Sequence, residues 1–237
     1  MFHPRGPTFF ELMRQAFSST ERGYDLLAPK FDFTPFRTPD PVVEAMAEVI
    51  GGPVGSALDV CCGTGAAMRY LRPLCIDRVV GLDFSRGMLD EARSRLADAP
   101  GTARIDLVHG DALALPFYRE MDVVTCVGAF GHILAKDEDR FVSEIARALK
   151  PGGRFVFATT RDPSTRDSWY WVAKGFNAAM QLRNSVVRPT FVMYYLTFLW
   201  PHVRPLLERH GFRIELHDGL CPVPYDRVVI VSAQRNS

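Results

Sequence analysis

Three aspartates and one glycine-bearing turn are the residues of this chain best equipped for chemistry. Leu58-Asp59-Val60-Cys61-Cys62-Gly63-Thr64-Gly65 reads as an apolar run that carries an acid, breaks into a turn and opens a helix over Ala66 to Leu71. A turn of this kind lets a ligand approach the backbone closely. A second acid, Asp83, ends the next apolar run, 18 residues beyond Gly65. That is near the roughly 20-residue offset at which a carboxylate meets the ribose hydroxyls of a nucleoside lying on such a turn. A third, Asp111, follows the run Ile105 to His109. It is placed to accept from an adenine amino group, with Ala112 supplying a backbone N–H to the ring.

The sign of the charge at Asp59 discriminates among nucleosides. A pyrophosphate is disfavoured by a carboxylate at the end of the strand, and the dinucleotide fingerprint wants a third glycine at position 68, where this chain has Met68. S-adenosylmethionine presents the opposite charge: an ammonium, a sulfonium and no phosphate. Asp59 suits that donor, either directly or through water, better than it suits a nicotinamide cofactor, so a nicotinamide-dependent oxidoreductase is the disfavoured reading. A strand-end aspartate also has a purely structural use, capping the turn that follows it.

These acids need strands to carry them. Short apolar runs at Ala57 to Cys61, Arg78 to Leu82, Ile105 to His109, Asp122 to Val127 and Arg154 to Thr159 alternate with helical patterns such as Ser85 to Leu96 and Arg140 to Leu149. That alternation predicts a parallel sheet covered on both faces. In the second helix Phe141, Ile145, Ala148 and Leu149 recur at helical spacing, Glu144 and Arg147 fall on the outer face, and Lys150-Pro151-Gly152-Gly153 stops it. Two more strands, Arg213 to His217 and Val228 to Ser232, flank a segment with Pro222 and Pro224 and bring the sheet to about seven. In an open sheet of this type ligands bind beyond the carboxyl ends of the strands, so Asp59, Asp83 and Asp111 converge on one crevice.

Composition narrows the function classes. The 237 residues suit one α/β domain with a well-buried core, and 47% apolar with 23% charged residues is ordinary for a globular protein. A net charge of +1, from 28 basic and 27 acidic residues, supplies no field for a polyanion and no support for a nucleic-acid partner. Cys61, Cys62, Cys75, Cys126 and Cys221 show neither CxxC spacing nor an even framework, which argues against structural zinc and for a reducing cytoplasm. They read as core residues, and no metal site is expected. The longest apolar stretch, about Phe191 to Trp200, is half of what a transmembrane helix needs, and the start of the chain lacks the pattern of a secretory signal.

Taken together, the motifs resemble those of the class I S-adenosylmethionine-dependent methyltransferases, and among them the small-molecule group that includes ubiquinone and menaquinone C-methyltransferases. The resemblance covers roughly residues 56 to 160 and the terminal strands: Leu58 to Gly65, then Val80-Gly81-Leu82-Asp83-Phe84-Ser85-Arg86-Gly87-Met88-Leu89, then Gly110-Asp111-Ala112 with Leu115-Pro116-Phe117, and the segments Asp122 to Leu134 and Glu144 to Phe157. It implies a Rossmann-like sheet, mostly parallel with an antiparallel last strand, a helical N-terminal cap over residues 1–50 and an inserted cover over 160–210, all in one domain, 1–237. It implies that Gly63 and Gly65 pass the methionine portion, Asp83 holds the ribose, Phe84 and Met88 flank the adenine, Asp111 and Ala112 read its edge, and Cys126 and Val127 touch the methionine end. The chain departs from the family at Cys61, commonly glycine, and at Gly131, where many relatives carry the first of two histidines and only His132 remains here. Tyr24-Asp25 and Phe31-Asp32 resemble a segment that covers the methionine end, with Tyr24 as the contact.

The implied activity is transfer of the sulfonium methyl to a small-molecule acceptor. His132 is the candidate general base, although a histidine satisfied by a carbonyl is the plainer account. The aromatic stretch from Trp169 to Trp200 is open to two readings, core packing or a cover over an apolar or aromatic acceptor. Arg161, Arg166, Arg183 and Arg188 form a solvated face or meet an acidic acceptor. A protein that binds S-adenosylmethionine as a sensor or subunit, without turnover, is the alternative from another class.

Overall fold

Seven strands build one sheet in the order β3-β2-β1-β4-β5-β7-β6 in a computed structural model of the chain, which describes residues 3–236. They are β1 (Val54–Val60), β2 (Cys75–Asp83), β3 (Arg104–His109), β4 (Met121–Cys126), β5 (Leu149–Thr160), β6 (Phe212–His217) and β7 (Val228–Arg235). Each neighbouring pair from β3 to β5 is parallel, and β7 runs antiparallel to both β5 and β6. The sheet and its one reversed strand are those expected from the sequence.

Helices cover both faces: α1 (Phe9–Ala16), α2 (Thr20–Leu27), α3 (Asp40–Ile50), α4 (Ala66–Leu71), α5 (Arg86–Arg95), α6 (Glu138–Ala148), α7 (Ser168–Val186) and α8 (Arg204–Arg209). Because successive side chains of a strand point to opposite faces, Leu58, Val60, Phe155 and Phe157 pack with Phe141 and Ile145 of α6, while Ala57 and Val156 pack with α3, α4 and α5 through Met46, Met68 and Ala92. Strands buried on both faces lose the polar alternation, which is why they read as near-continuous apolar runs.

Two local expectations change. Lys150-Pro151-Gly152-Gly153 does end α6, but the backbone is already extended from Leu149, so the segment belongs to β5, with the register shifting between Met121 and Val123 of β4. Glu144 and Arg147 do not simply face solvent. They pair with each other, the Leu115 N–H donates to Glu144 at 2.7 Å, and Arg147 donates to the carbonyls of Phe117 and Leu115. The pair therefore clamps the loop after β3 onto α6.

Candidate functional site

Asp83 organises the carboxyl edge of the sheet. It is buried at the end of β2, and its two oxygens accept from different turns: Oδ2 from the Gly63 N–H and Oδ1 from the Ser85 N–H, each at 2.9 Å. One carboxylate thus holds the glycine turn after β1 against the start of α5, and each oxygen keeps lone pairs for a further donor. Burial pushes its pKa upward against the pull of these backbone bonds. Gly65 sits at φ +82°, and a Cβ there would lie 2.8 Å from a Leu96 methyl, so glycine is required by conformation and by the close packing of α5. Cys61 occupies the same left-handed region at φ +59° with a side chain attached.

Asp59 lies one layer deeper, in β1. Its Oδ1 accepts from the Thr125 hydroxyl at 2.8 Å, and its carboxylate still reaches the cavity wall. Burial, with the charge of Asp83 as a smaller contribution, pushes its pKa up to about 7. A carboxylate held this far from water is stabilised by any cation that replaces the missing solvation.

A cavity of about 440 Å³ opens above these acids, within the usual range for small-molecule sites. Its floor contains Asp59, Cys61, Gly63, Asp83, Phe84 and Met88; Val127 and His132 come from beyond β4; Tyr24 comes from α2. The rest of the lining is mostly apolar, with Phe36 and Val42 from the N-terminal segment, Ala158 from β5 and Met193, Leu196 and Leu199 from the segment after α7, and it also includes Arg37, Thr160 and Thr197. Four expected site residues stand elsewhere. Gly65 shapes the turn from behind, and Cys126 is fully buried in β4 beneath Cys61. Ala112 packs into the core, and Asp111 is exposed, with Oδ1 taking the Leu113 N–H at 2.9 Å.

Two acids fasten the N-terminal segment to the site. Asp25 Oδ1 accepts from Ser85 Oγ at 2.6 Å and from the Gly87 N–H at 2.9 Å, tying α2 to the first turn of α5. Asp32 accepts from Thr64 Oγ1 at 2.6 Å and pairs with Arg95 at 2.9 Å. Sequence reading quoted both only as neighbours of aromatic residues, because contacts 60 and 32 positions away leave no local signature.

The aromatic stretch divides between the two readings. Phe191, Phe198 and Trp200 are core residues, Met193 to Thr197 and Leu199 line the cavity, and α7 stands out in solvent with only Ala173 buried. Arg161 pairs with Asp218, and Arg183 is spent on the carbonyls of Ala16, Ser18 and Pro189; neither lines the cavity. The glycine at 131 has a steric cause. The Tyr194 N–H donates to the Gly131 carbonyl at 2.8 Å, and a Cβ at 131 would sit 2.5 Å from the Tyr194 oxygen.

His132 joins three elements. Its Nδ1 is 2.5 Å from the Val192 carbonyl and its Nε2 is 2.7 Å from Tyr24 Oη. A carbonyl has no proton to give, so Nδ1 carries the hydrogen and the neutral ring presents Nε2 as an acceptor to the Tyr24 hydroxyl. Burial lowers the histidine pKa and raises that of the tyrosine, so both stay neutral near pH 7.

The sheet order, the reversed strand and the acids at the strand ends define a class I methyltransferase fold. Solved structures carry the same architecture: an O-methyltransferase family protein from Burkholderia thailandensis has a TM-score of 0.71 at 16% identity over 97% of this chain and 67% of that one. The DhpI complex with S-adenosylhomocysteine has a TM-score of 0.66 at 20% identity over 97% and 99%. Residues 57–153 match the family model described as a methyltransferase domain. The chain thus has the fold of these methyltransferases, and its segment 57–153 is similar to their family model. Similar curated proteins are the demethylmenaquinone methyltransferases of Shouchella clausii, 42% identical over 112 residues (46% of this chain and 46% of the relative), and of Staphylococcus saprophyticus, 35% identical over 158 residues (65% of each). The chain spans about half to two thirds of the length of these curated relatives. Among the described residues, no helix is long and apolar enough to cross a membrane, and no cluster of three potential metal ligands occurs.

Proposed function

We propose that the chain is a methyltransferase that binds S-adenosylmethionine across the carboxyl edge of β1, β2 and β4 and methylates a small apolar or aromatic acceptor, with residues 1–50 as cap and 160–210 as cover of a single domain. The observation that carries this reading is the cavity itself: two buried carboxylates, Asp59 and Asp83, in a lining that is otherwise mostly apolar and holds no further acid. A cationic nucleoside fits these two acids. The remaining lining suits an apolar or aromatic acceptor and offers no carboxylate to a cationic one.

In this reading Asp83 accepts from the ribose hydroxyls, Gly63 leaves room beside the backbone, Phe84 and Met88 flank the adenine, and Asp59 balances the positive charge of the methionine end. Cys61, Val127 and Tyr24 border that end, with Cys126 supporting Cys61 from below and Gly65 holding the turn. Asp111, through its second oxygen, and the Ala112 N–H serve the edge of the adenine. The bound donor supplies an already activated methyl on a sulfonium. The protein's task is alignment, worth roughly 7–11 kcal/mol in favourable cases. Where the acceptor is a hydroxyl, His132 Nε2 takes its proton once the Tyr24 hydroxyl swings aside. Where it is a carbon already activated as an anion, no base is required.

Titration calorimetry tests the reading directly. S-adenosylmethionine binds and NAD does not, and Asp83→Ala loses affinity by roughly a hundredfold, the scale of hydrogen bonds to a charged group. Donor binding with no S-adenosylhomocysteine formed from any phenolic or quinol acceptor would favour the sensor or subunit alternative. Absence of donor binding would refute the reading as a whole.

A further inference from the structure

Apolar side chains left in water are unevenly distributed over this molecule. Ten of the fourteen exposed large ones among the described residues lie on or beside α1, α2 and α7. On α1 and its C-cap these are Phe9, Phe10, Met13 and Phe17, spaced to form one helical face, with Phe10 82% exposed. On α7, Val172, Leu182 and Val186 are 60–77% exposed and fall on a single stripe at helical spacing, with Trp169 and Trp171 at its start. The two helices are neighbours, since Arg183 of α7 donates to the carbonyls of Ala16 and Ser18 at the end of α1. Neither stripe has a partner among the described residues.

Charge identifies what suits this face. From Ser168 to Val203 the sequence has no acidic residue and carries Lys174, Arg183 and Arg188, in a chain whose net charge is only +1. Glu11, the one acid on α1, is held by Lys30 at 2.7 Å, leaving Arg14 unopposed on that helix. A second copy of the chain would bring cation against cation. A surface combining aromatic and aliphatic side chains with basic groups, and with no unpaired acid on α1 or α7, is complementary to an anionic lipid bilayer, into which such helices settle at headgroup depth without spanning it.

We infer that α1 and α7 form a docking face for an anionic membrane surface. The face borders the site: Tyr24 follows α1 on α2, and Met193 to Leu199 follow α7, so both helices lead directly into cavity-lining segments. The placement gives an apolar acceptor a path from the bilayer to the cavity; this last step rests on the reading of the site above, whereas the docking face does not.

The test is co-sedimentation of the full chain with phosphatidylcholine vesicles, with and without phosphatidylglycerol. Binding is expected to the anionic vesicles and to weaken as salt rises. Phe10→Glu with Val186→Glu is expected to weaken it by roughly tenfold or more, the cost of withdrawing large apolar side chains from lipid. S-adenosylmethionine affinity and thermal midpoint should stay unchanged, since neither residue lines the cavity. Lys174→Glu with Arg188→Glu should act on anionic vesicles alone. No vesicle binding, binding indifferent to both pairs, or a stable dimer in solution that Phe10→Glu with Val186→Glu dissociates would overturn the inference. Failure of donor binding with vesicle binding intact would strike only the reading of the cavity.

Discussion

Asp59 makes the affinity for a cationic ligand depend on pH in a way that can be worked out in advance. Its pKa in the free protein is about 7. A unit positive charge about 4 Å away, at an effective dielectric near 20, contributes about 4 kcal/mol, close to three pKa units. Bound ligand would therefore bring the carboxyl to about 4 and keep it ionised throughout the range from pH 7.5 to 5. Over that range the free protein takes up a proton that binding must expel, so the apparent Kd rises nearly tenfold per unit below pH 7. The total weakening comes to roughly 50- to 100-fold. Calorimetry at a series of pH values, kept below the ligand ammonium's own titration near 8, reads this directly. Asp59→Asn should bind more weakly at pH 7.5 and vary little with pH. A flat profile for the natural protein, or an unchanged slope in the variant, would refute the account of Asp59 as counter-charge.

The same carboxyl affects the unliganded fold. Between its ordinary value of 3.8 and about 7, folded Asp59 holds a proton that the unfolded chain has lost, so its contribution to stability falls as pH rises, by up to about 4 kcal/mol; urea titrations from pH 4 to 7.5 should show a decline that Asp59→Asn flattens. Gly131→Ala forces a methyl against the Tyr194 carbonyl at 2.5 Å; the expected cost is about 1–3 kcal/mol, or a raised acceptor KM if the segment around Tyr194 yields instead, and stability and KM both unchanged would refute the close approach. His132→Gln should lower kcat for a hydroxyl acceptor about a hundredfold with donor Kd unaffected, and an unchanged kcat would assign the ring to positioning Tyr24 and Val192.

The strands and their acids were legible because each is a local signal. Ala57 to Val60 and Val79 to Leu82 are buried on both faces of the sheet, so they stand out as apolar runs, and Asp59 within the first and Asp83 at the end of the second interrupt them. What the sequence concealed depends on contacts across the chain. Nothing near Asp25 announces that Ser85 and Gly87 will share its oxygen, and nothing near His132 announces Val192. Lys150-Pro151-Gly152-Gly153 was misleading because a helix stop and a strand start use the same residues. The aromatic stretch resisted one reading because burial is set by what packs above it: Phe198 stacks on Phe130 at 4.3 Å, while Trp171 faces water.

The position of β7 bears on how the polypeptide is made. It follows all other strands along the chain yet lies between β5 and β6, and β6 has no other hydrogen-bonded neighbour. Until β7 leaves the ribosome, β5 presents an open row of amides and carbonyls and β6 has nothing to lean on. From the emergence of β5 to the arrival of β7 the nascent chain thus carries an adhesive margin, and of the seven strands the one that seals it is made last.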